Sequence, residues 1–165
     1  MKTSFHARIV HPVIDVEMRD LCKRPYHGHP KGCPNYGQRR ICPPESETLY
    51  DYFDLAKPVW ALWMEFDIAA QAQRMMKRHP DWNWRQLVNC RYWQGTVRKA
   101  LRTNAAGWMQ RAKTAVPEHA NKLALISCPE AMGVNVTETM ANIGVELEWP
   151  PKKITRLIYL VGVTP

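Results

Sequence analysis

The 165-residue chain has no apolar run near the roughly 18 residues needed to cross a bilayer, so no membrane-spanning helix is expected. It has no Gly-rich phosphate loop, no Ser nucleophile elbow and no His-Glu-x-x-His pair, and no residue stands out as catalytic. Internal repeats and low-complexity tracts are missing too. The opening stretch MKTSFHARIVHPVIDVEMRD lacks a continuous apolar region and a small-residue cleavage site, being broken by His11, Pro12 and Asp15. Cysteines number five, an odd count that gives a disulfide framework little support. A reducing, cytoplasmic setting is therefore expected, where clustered thiols bind metal or do chemistry.

What is present is unevenly spread. The 13 prolines gather around the cysteines and near the C-terminus. Residues 21–45, LCKRPYHGHPKGCPNYGQRRICPPE, hold Cys22, Cys33 and Cys42 among Pro, Gly and basic residues. The thiols are separated by ten and eight residues, which is neither a paired Cys-x-x-Cys ribbon nor a tight ferredoxin run. Pro follows Cys33 and Cys42 directly, and a pre-bent backbone loses less entropy when its thiolates gather on one centre. Gly32 and Gly37 permit positive φ and close backbone approach. Lys23, Arg24, Lys31, Arg39 and Arg40 surround the cysteines, with no acid between Cys22 and Cys42. Such cations lower thiol pKa and offset the charge of metal-bound thiolates. The bland alternative is a basic surface loop with incidental thiols. Asn35 and Tyr36 are suited to holding the loop through hydrogen bonds.

Along the chain, HARIVHPVIDVE reads as a first strand and a helix is expected to start near Ser46. PVWALWMEFDIA suits a strand buried on both faces. A helix from about Ala69 to His79 ends at Pro80, and a long helix follows from about Trp82, with Leu87, Cys90, Val97 and Leu101 on one apolar face. Residues 122–127 make a short buried strand. A helix from Asn135 to Asn142 is closed by Gly144, and ITRLIYLVGV is the last strand. Strands alternating with helices predict a single α/β domain over 1–165. It would be a sandwich of a small mixed sheet with helices, carrying the metal-binding loop at 21–45.

The segment GCPNYGQRRICPPE, with Cys22 upstream, resembles the signature of a family of uncharacterised predicted metal-binding proteins, in which a Cys-Pro-x-Tyr-Gly element precedes Cys-Pro-Pro. PEAMGVNVTETMANIGVELE is similar to the ending of the same family. Many relatives carry a further mid-chain cysteine group, missing here. The resemblance thus implies one metal centre, held by Cys22, Cys33 and Cys42, and supplies no reaction.

Three thiolates need a partner. Cys128 closes a predicted strand in ALISCPEAMG, and strand ends are where α/β folds place ligands, so it is the candidate fourth ligand, with a buried structural thiol as the alternative. Cys90, on the apolar helix stripe, reads as core. Widely spaced single cysteines favour an iron–sulfur cluster, [4Fe–4S] before [2Fe–2S]. With three thiolates, one iron of such a cluster is open to a substrate heteroatom. His27 and His29 supply the competing Cys3His zinc reading.

Between Ala70 and Lys113 stand ten Lys or Arg (Arg74, Lys77, Arg78, Arg85, Arg91, Arg98, Lys99, Arg102, Arg111 and Lys113) against the single acid Asp81. Trp82, Trp84, Tyr92, Trp93 and Trp108 lie among them. Cations interleaved with flat rings suit a nucleic acid or nucleotide, by phosphate neutralisation and base stacking. A solvated helix face with tryptophans turned to the sheet is the competing account. Two functions are therefore expected to compete. One is an iron–sulfur protein with a redox or Lewis-acid role, its electron-transfer partner unidentified. The other is a nucleic-acid-binding module built on structural zinc.

Overall fold

The structure, a computed structural model, describes residues 3–25 and 29–165. It is an α/β fold around one four-stranded sheet. The strands are β1 (Thr3–Val10), β2 (Val59–Asp67), β3 (Leu123–Ile126) and β4 (Ile154–Val163). The helices are α1 (Leu49–Tyr52), α2 (Ile68–Arg78), α3 (Trp84–Leu87), α4 (Gln94–Ala115) and α5 (Val136–Ala141). No helix among the described residues is long and apolar enough to cross a membrane.

Strand order is β1-β2-β4-β3, and every neighbouring pair is antiparallel. The expected mixed sheet is corrected here. Helices α2 to α4 do connect two strands of the same direction, β2 and β3, but these are not neighbours. The C-terminal strand β4 runs between them in the opposite sense, pairing Trp60 with Val161 on one side and Leu125 with Val161 on the other. Helix–strand alternation therefore gives a crossover without a parallel ladder.

Both sheet faces are covered, as the unbroken apolar run of β2 foretells. Val59, Ala61 and Trp63 turn to one face, where Leu49, Phe53, Met132, Val134 and Met140 meet them. Leu62, Met64 and Phe66 turn to the other, against Trp93, Val97, Leu101 and Ala105 from the α4 side. Period-2 side-chain alternation along β2 sorts its residues between the two cores. Gly162 of β4 leaves room for the buried Phe53 ring, where a Cβ would stand 2.6 Å from a ring carbon.

Three local expectations change. Helix α1 starts at Leu49 after Thr48, whereas Ser46 is buried and bonded elsewhere. The strand expected over residues 6–17 ends at Val10, and beyond it Ile14 makes only a single bridge to Val134. The long helix expected from Trp82 is broken into α3, a 3₁₀ turn at Cys90–Tyr92, and α4. The Asn89 side chain accepts from the Arg91 amide at 3.0 Å, a local bond that competes with helical continuation. Trp93 then turns inward to stack on Phe66 with centroids 5.0 Å apart. Cys90 is consequently exposed rather than on the core stripe, while Leu87, Val97 and Leu101 are buried as expected.

Candidate metal centre

The cysteine segment is made of turns, as its Pro and Gly content requires. Cys22 lies near the end of a 3₁₀ turn, Val16–Lys23, capped by the Asp15 carboxylate accepting from the Glu17 amide. The Cys33 amide donates to the Cys22 carbonyl at 2.7 Å, tying the two cysteines together through the backbone. Gly32, at φ +83°, makes this approach feasible, because a Cβ there would lie 2.6 Å from the Cys22 carbonyl oxygen. Tyr36 N–H donates to the Cys33 carbonyl, and the Gly37 amide to Pro43, across a loop whose Pro43–Pro44 peptide is cis. Asn35 contributes its carbonyl to the Gln38 amide. Their bonds to backbone are thus part of the loop's own scaffold.

The loop is bolted to the segment that follows β3. Ser46, four residues after Cys42, is buried: its hydroxyl donates to the Ala131 carbonyl at 2.8 Å, and its backbone carbonyl receives the Arg19 guanidinium at 2.7 Å. The Asp15 amide bonds to the Gly133 carbonyl at 2.7 Å. Pro129–Met132 forms a 3₁₀ turn immediately after Cys128. Between loop and strand end lies a cleft of about 320 Å³, with Arg40, Ser46, Tyr52, Ser127 and Cys128 on its walls.

Within this frame Cys22, Cys33, Cys42 and Cys128 are free thiols. Partial burial pushes the Cys22 thiol up, and Cys33, Cys42 and Glu130 push it the same way by charge. Burial also raises Cys128, with further contributions from Glu130, Cys42 and Cys22, against a lowering by Arg98. Cys128 and Glu130 are both exposed, which corrects the alternative of Cys128 as a buried thiol, although the protein packed around them still desolvates their charged forms. Burial raises the Glu130 carboxyl as well. The expectation that neighbouring cations lower the loop thiols is therefore corrected for Cys22, and Cys128 is raised as well. Desolvation and like charge prevail, and Lys23 is engaged with Asp20 at 2.9 Å.

As the side chains stand, no three or more His, Cys, Asp or Glu residues among those described form a ready coordinating set for a metal ion. The four thiols are electrostatic neighbours rather than a closed cage. Their chemistry nevertheless fits a thiophilic centre: soft donors whose desolvation, and then whose mutual charge, raises the Cys22 and Cys128 pKa values, costs that a bound cationic centre would offset while displacing the thiol protons. His27 lies outside the described residues, and the His29 carbonyl accepts from the Gly32 amide. Cys90 is outside the group and exposed, on a separate turn.

Two neighbours of the thiols were not singled out from the sequence. Glu130 follows Cys128 by two positions in CPEAMG, so its proximity could have been read from that adjacency. Arg98 could not, because it reaches Cys128 from α4, on the opposite side of the sheet. The mid-chain aromatics divide between the two accounts of them. Trp93 is buried and Trp108 packs against Trp60 at 5.2 Å, whereas Trp84 and Tyr92 are exposed.

No curated protein and no solved structure matches the chain. A family model described as predicted metal-binding protein matches residues 13–163, a span that takes in the cysteine loop, Cys128 and the whole of β4. The chain belongs to that family, DUF2284.

Proposed function

We propose that Cys22, Cys33 and Cys42, with Cys128 as fourth ligand, hold one iron–sulfur cluster of the [4Fe–4S] type in a reducing, cytoplasmic setting. The observation that carries this reading is the Ser46–Ala131 hydrogen bond, which ties the segment after Cys42 to the turn that follows Cys128 and so brings thiols of the loop and of the β3 end within electrostatic reach of one another. Soft sulfur donors select iron–sulfur clusters or zinc over magnesium or calcium. A single zinc ion needs all its thiolates within about 2.3 Å of one point.

When bound, such a cluster supplies electron transfer if four thiolates close it, or a Lewis-acidic iron if Cys128 is not a ligand. The chain's own residues define the surroundings. Arg98 offsets negative charge beside Cys128. Glu130, its carboxyl raised by burial, holds a proton more readily than an ordinary glutamate and can exchange it next to the thiols. The cleft past Arg40, Tyr52 and Ser127 gives a small molecule or an electron donor a route to Cys128.

Anaerobic purification with iron, sulfide and zinc analysis tests the proposal. A brown protein with iron and acid-labile sulfide, lost on Cys22→Ser and Cys33→Ser but kept on Cys90→Ser, is the expected result. Cys128→Ala then separates a closed cluster from one with an open iron. A colourless protein with one zinc per chain overturns the cluster and leaves the structural-zinc module.

A further inference from the structure

The chain's positive charge is not spread over its surface. Of 23 Lys and Arg and 15 Asp and Glu, ten cations and one acid lie in residues 70–113, which leaves 13 cations and 14 acids elsewhere. Residues 70–113, which lie in α2, α3, α4 and their connections, therefore carry +9, against −1 for the rest of the chain. The ion pairs among the described residues join Glu65 to His6 and Arg156, and Asp20 to Lys23, so none of these ten cations is neutralised by one.

Part of this basic region is paved with rings. His79, the C-cap of α2, stacks on Trp82 at 3.9 Å with an interplanar angle of 8°, and Trp82 tilts against Tyr92 at 5.7 Å. Tyr92 is 52% exposed, although its neighbour Trp93 is buried. Tyr92 ends the 3₁₀ turn between α3 and α4, which leaves its ring on the surface beside Trp82 while Trp93 turns to Phe66. Beside Tyr92 and His79 lies a cleft of about 300 Å³ lined by Arg74, Arg78, Met75 and Gln71. That volume is at the lower end of small-molecule sites, about 300–1,000 Å³. The buried Gln71 carbonyl accepts from Arg74 at 2.7 Å, which holds that guanidinium at the cleft wall.

We propose that this cleft is a single-stranded nucleic-acid site. A base stacks on the exposed Tyr92 ring, which is backed by the Trp82–His79 stack, and the phosphates run over Arg74 and Arg78. The pairing of unneutralised cations with an exposed flat ring distinguishes this from a merely basic face, since phosphate attraction uses the first and base stacking needs the second. The site is separate from the cysteine centre and does not depend on which metal that centre holds.

The test is fluorescence anisotropy of the full chain with a labelled oligothymidylate of about 16 nucleotides, a length that covers one such site, at several salt concentrations. Binding is expected to weaken about five- to hundredfold on Tyr92→Ala, in keeping with the loss of one stacked base. Tyr92→Phe, which keeps the ring, should bind as the parent does. Arg78→Ala should reduce the slope of log K against log salt by about 0.7. Absence of binding at 50 mM salt overturns the proposal. So does binding that Tyr92→Ala leaves unchanged and heparin displaces, because charge alone would then account for it. Equal affinity for a duplex of the same sequence would overturn it as well. Tyr92 lies outside the core, so circular dichroism of Tyr92→Ala should match the parent and a loss of binding cannot be ascribed to unfolding.

Discussion

A single missing carbon decides how closely Cys22 and Cys33 can approach. Gly32 is at φ +83°, and a Cβ would meet the Cys22 carbonyl at 2.6 Å and Lys23 backbone atoms at 2.8 Å. Backbone cannot yield as a flexible side-chain tip can, so Gly32→Ala should open the 2.7 Å bond from Cys33 N–H to Cys22 O. Left-handed strain and the contact together should cost about 1–3 kcal/mol, read from urea denaturation, and metal content per chain should fall. Gly37→Ala is the informative comparison. It is also at positive φ, +67°, but its nearest neighbour would be 4.0 Å away, so strain alone would act there. Loss of metal in both variants alike would mean that the Cys22–Cys33 approach has no special part. Glycine in this loop was legible from the sequence as a device for tight turns; which carbonyl it accommodates was not, because Cys22 and Gly32 meet only across the turn.

At the scale of elements, one buried hydroxyl joins the cysteine loop to the turn after β3. Ser46 donates to Ala131 O, and Arg19 from the first 3₁₀ turn donates to the Pro44 and Ser46 carbonyls. Ser46→Ala removes the donor and leaves Ala131 O buried without it, a cost of about 1–3 kcal/mol by urea denaturation. Because the same bond holds Cys42 and Cys128 on facing segments, the variant should also release metal faster to a chelator. An unchanged release rate with the stability loss intact would show that the contact serves the fold alone. Ser46 read as a helix start on sequence because Ser followed by acids is a capping pattern. The structure moves the start to Leu49, since a hydroxyl that finds a buried carbonyl is worth more there than at a solvent-exposed cap. Strands β2 and β4 and helix α2 were legible within a few residues, as their apolar periodicity and flanking breakers are local properties. The break at Asn89 was not, because a stripe of Leu87, Cys90, Val97 and Leu101 continues across it in helical register.

For the whole molecule, the metal is expected to couple the two sides of the sheet. The loop lies on the α1 and α5 side, while Arg98 of α4 reaches Cys128 from the other. A ligand that binds the folded chain alone stabilises it in proportion to RT ln(1 + [L]/Kd), about 2.7 kcal/mol at a hundredfold excess over Kd. Stripping the metal anaerobically should therefore lower Tm, and restoring it should recover the original value. In Cys22→Ser the stripped and reconstituted samples should melt together. If stripping leaves the parent's Tm unchanged, the centre is peripheral to the fold.

What the sequence determined by itself was the inventory: thiols in a Pro- and Gly-rich segment, a β2 apolar on both faces, and a charge surplus confined to residues 70–113. These follow from composition and short-range period, which need no knowledge of the partner segments. Tertiary structure decided the rest. Insertion of β4 between β2 and β3 made the sheet antiparallel throughout, and the closed fold brought Cys128 towards Cys22 and Cys42, with Glu130 near Cys22 and Cys128 and Arg98 near Cys128. The reason is physical: desolvation and Coulomb interaction depend on distance through space, and chain separation says nothing about that until the sheet has closed.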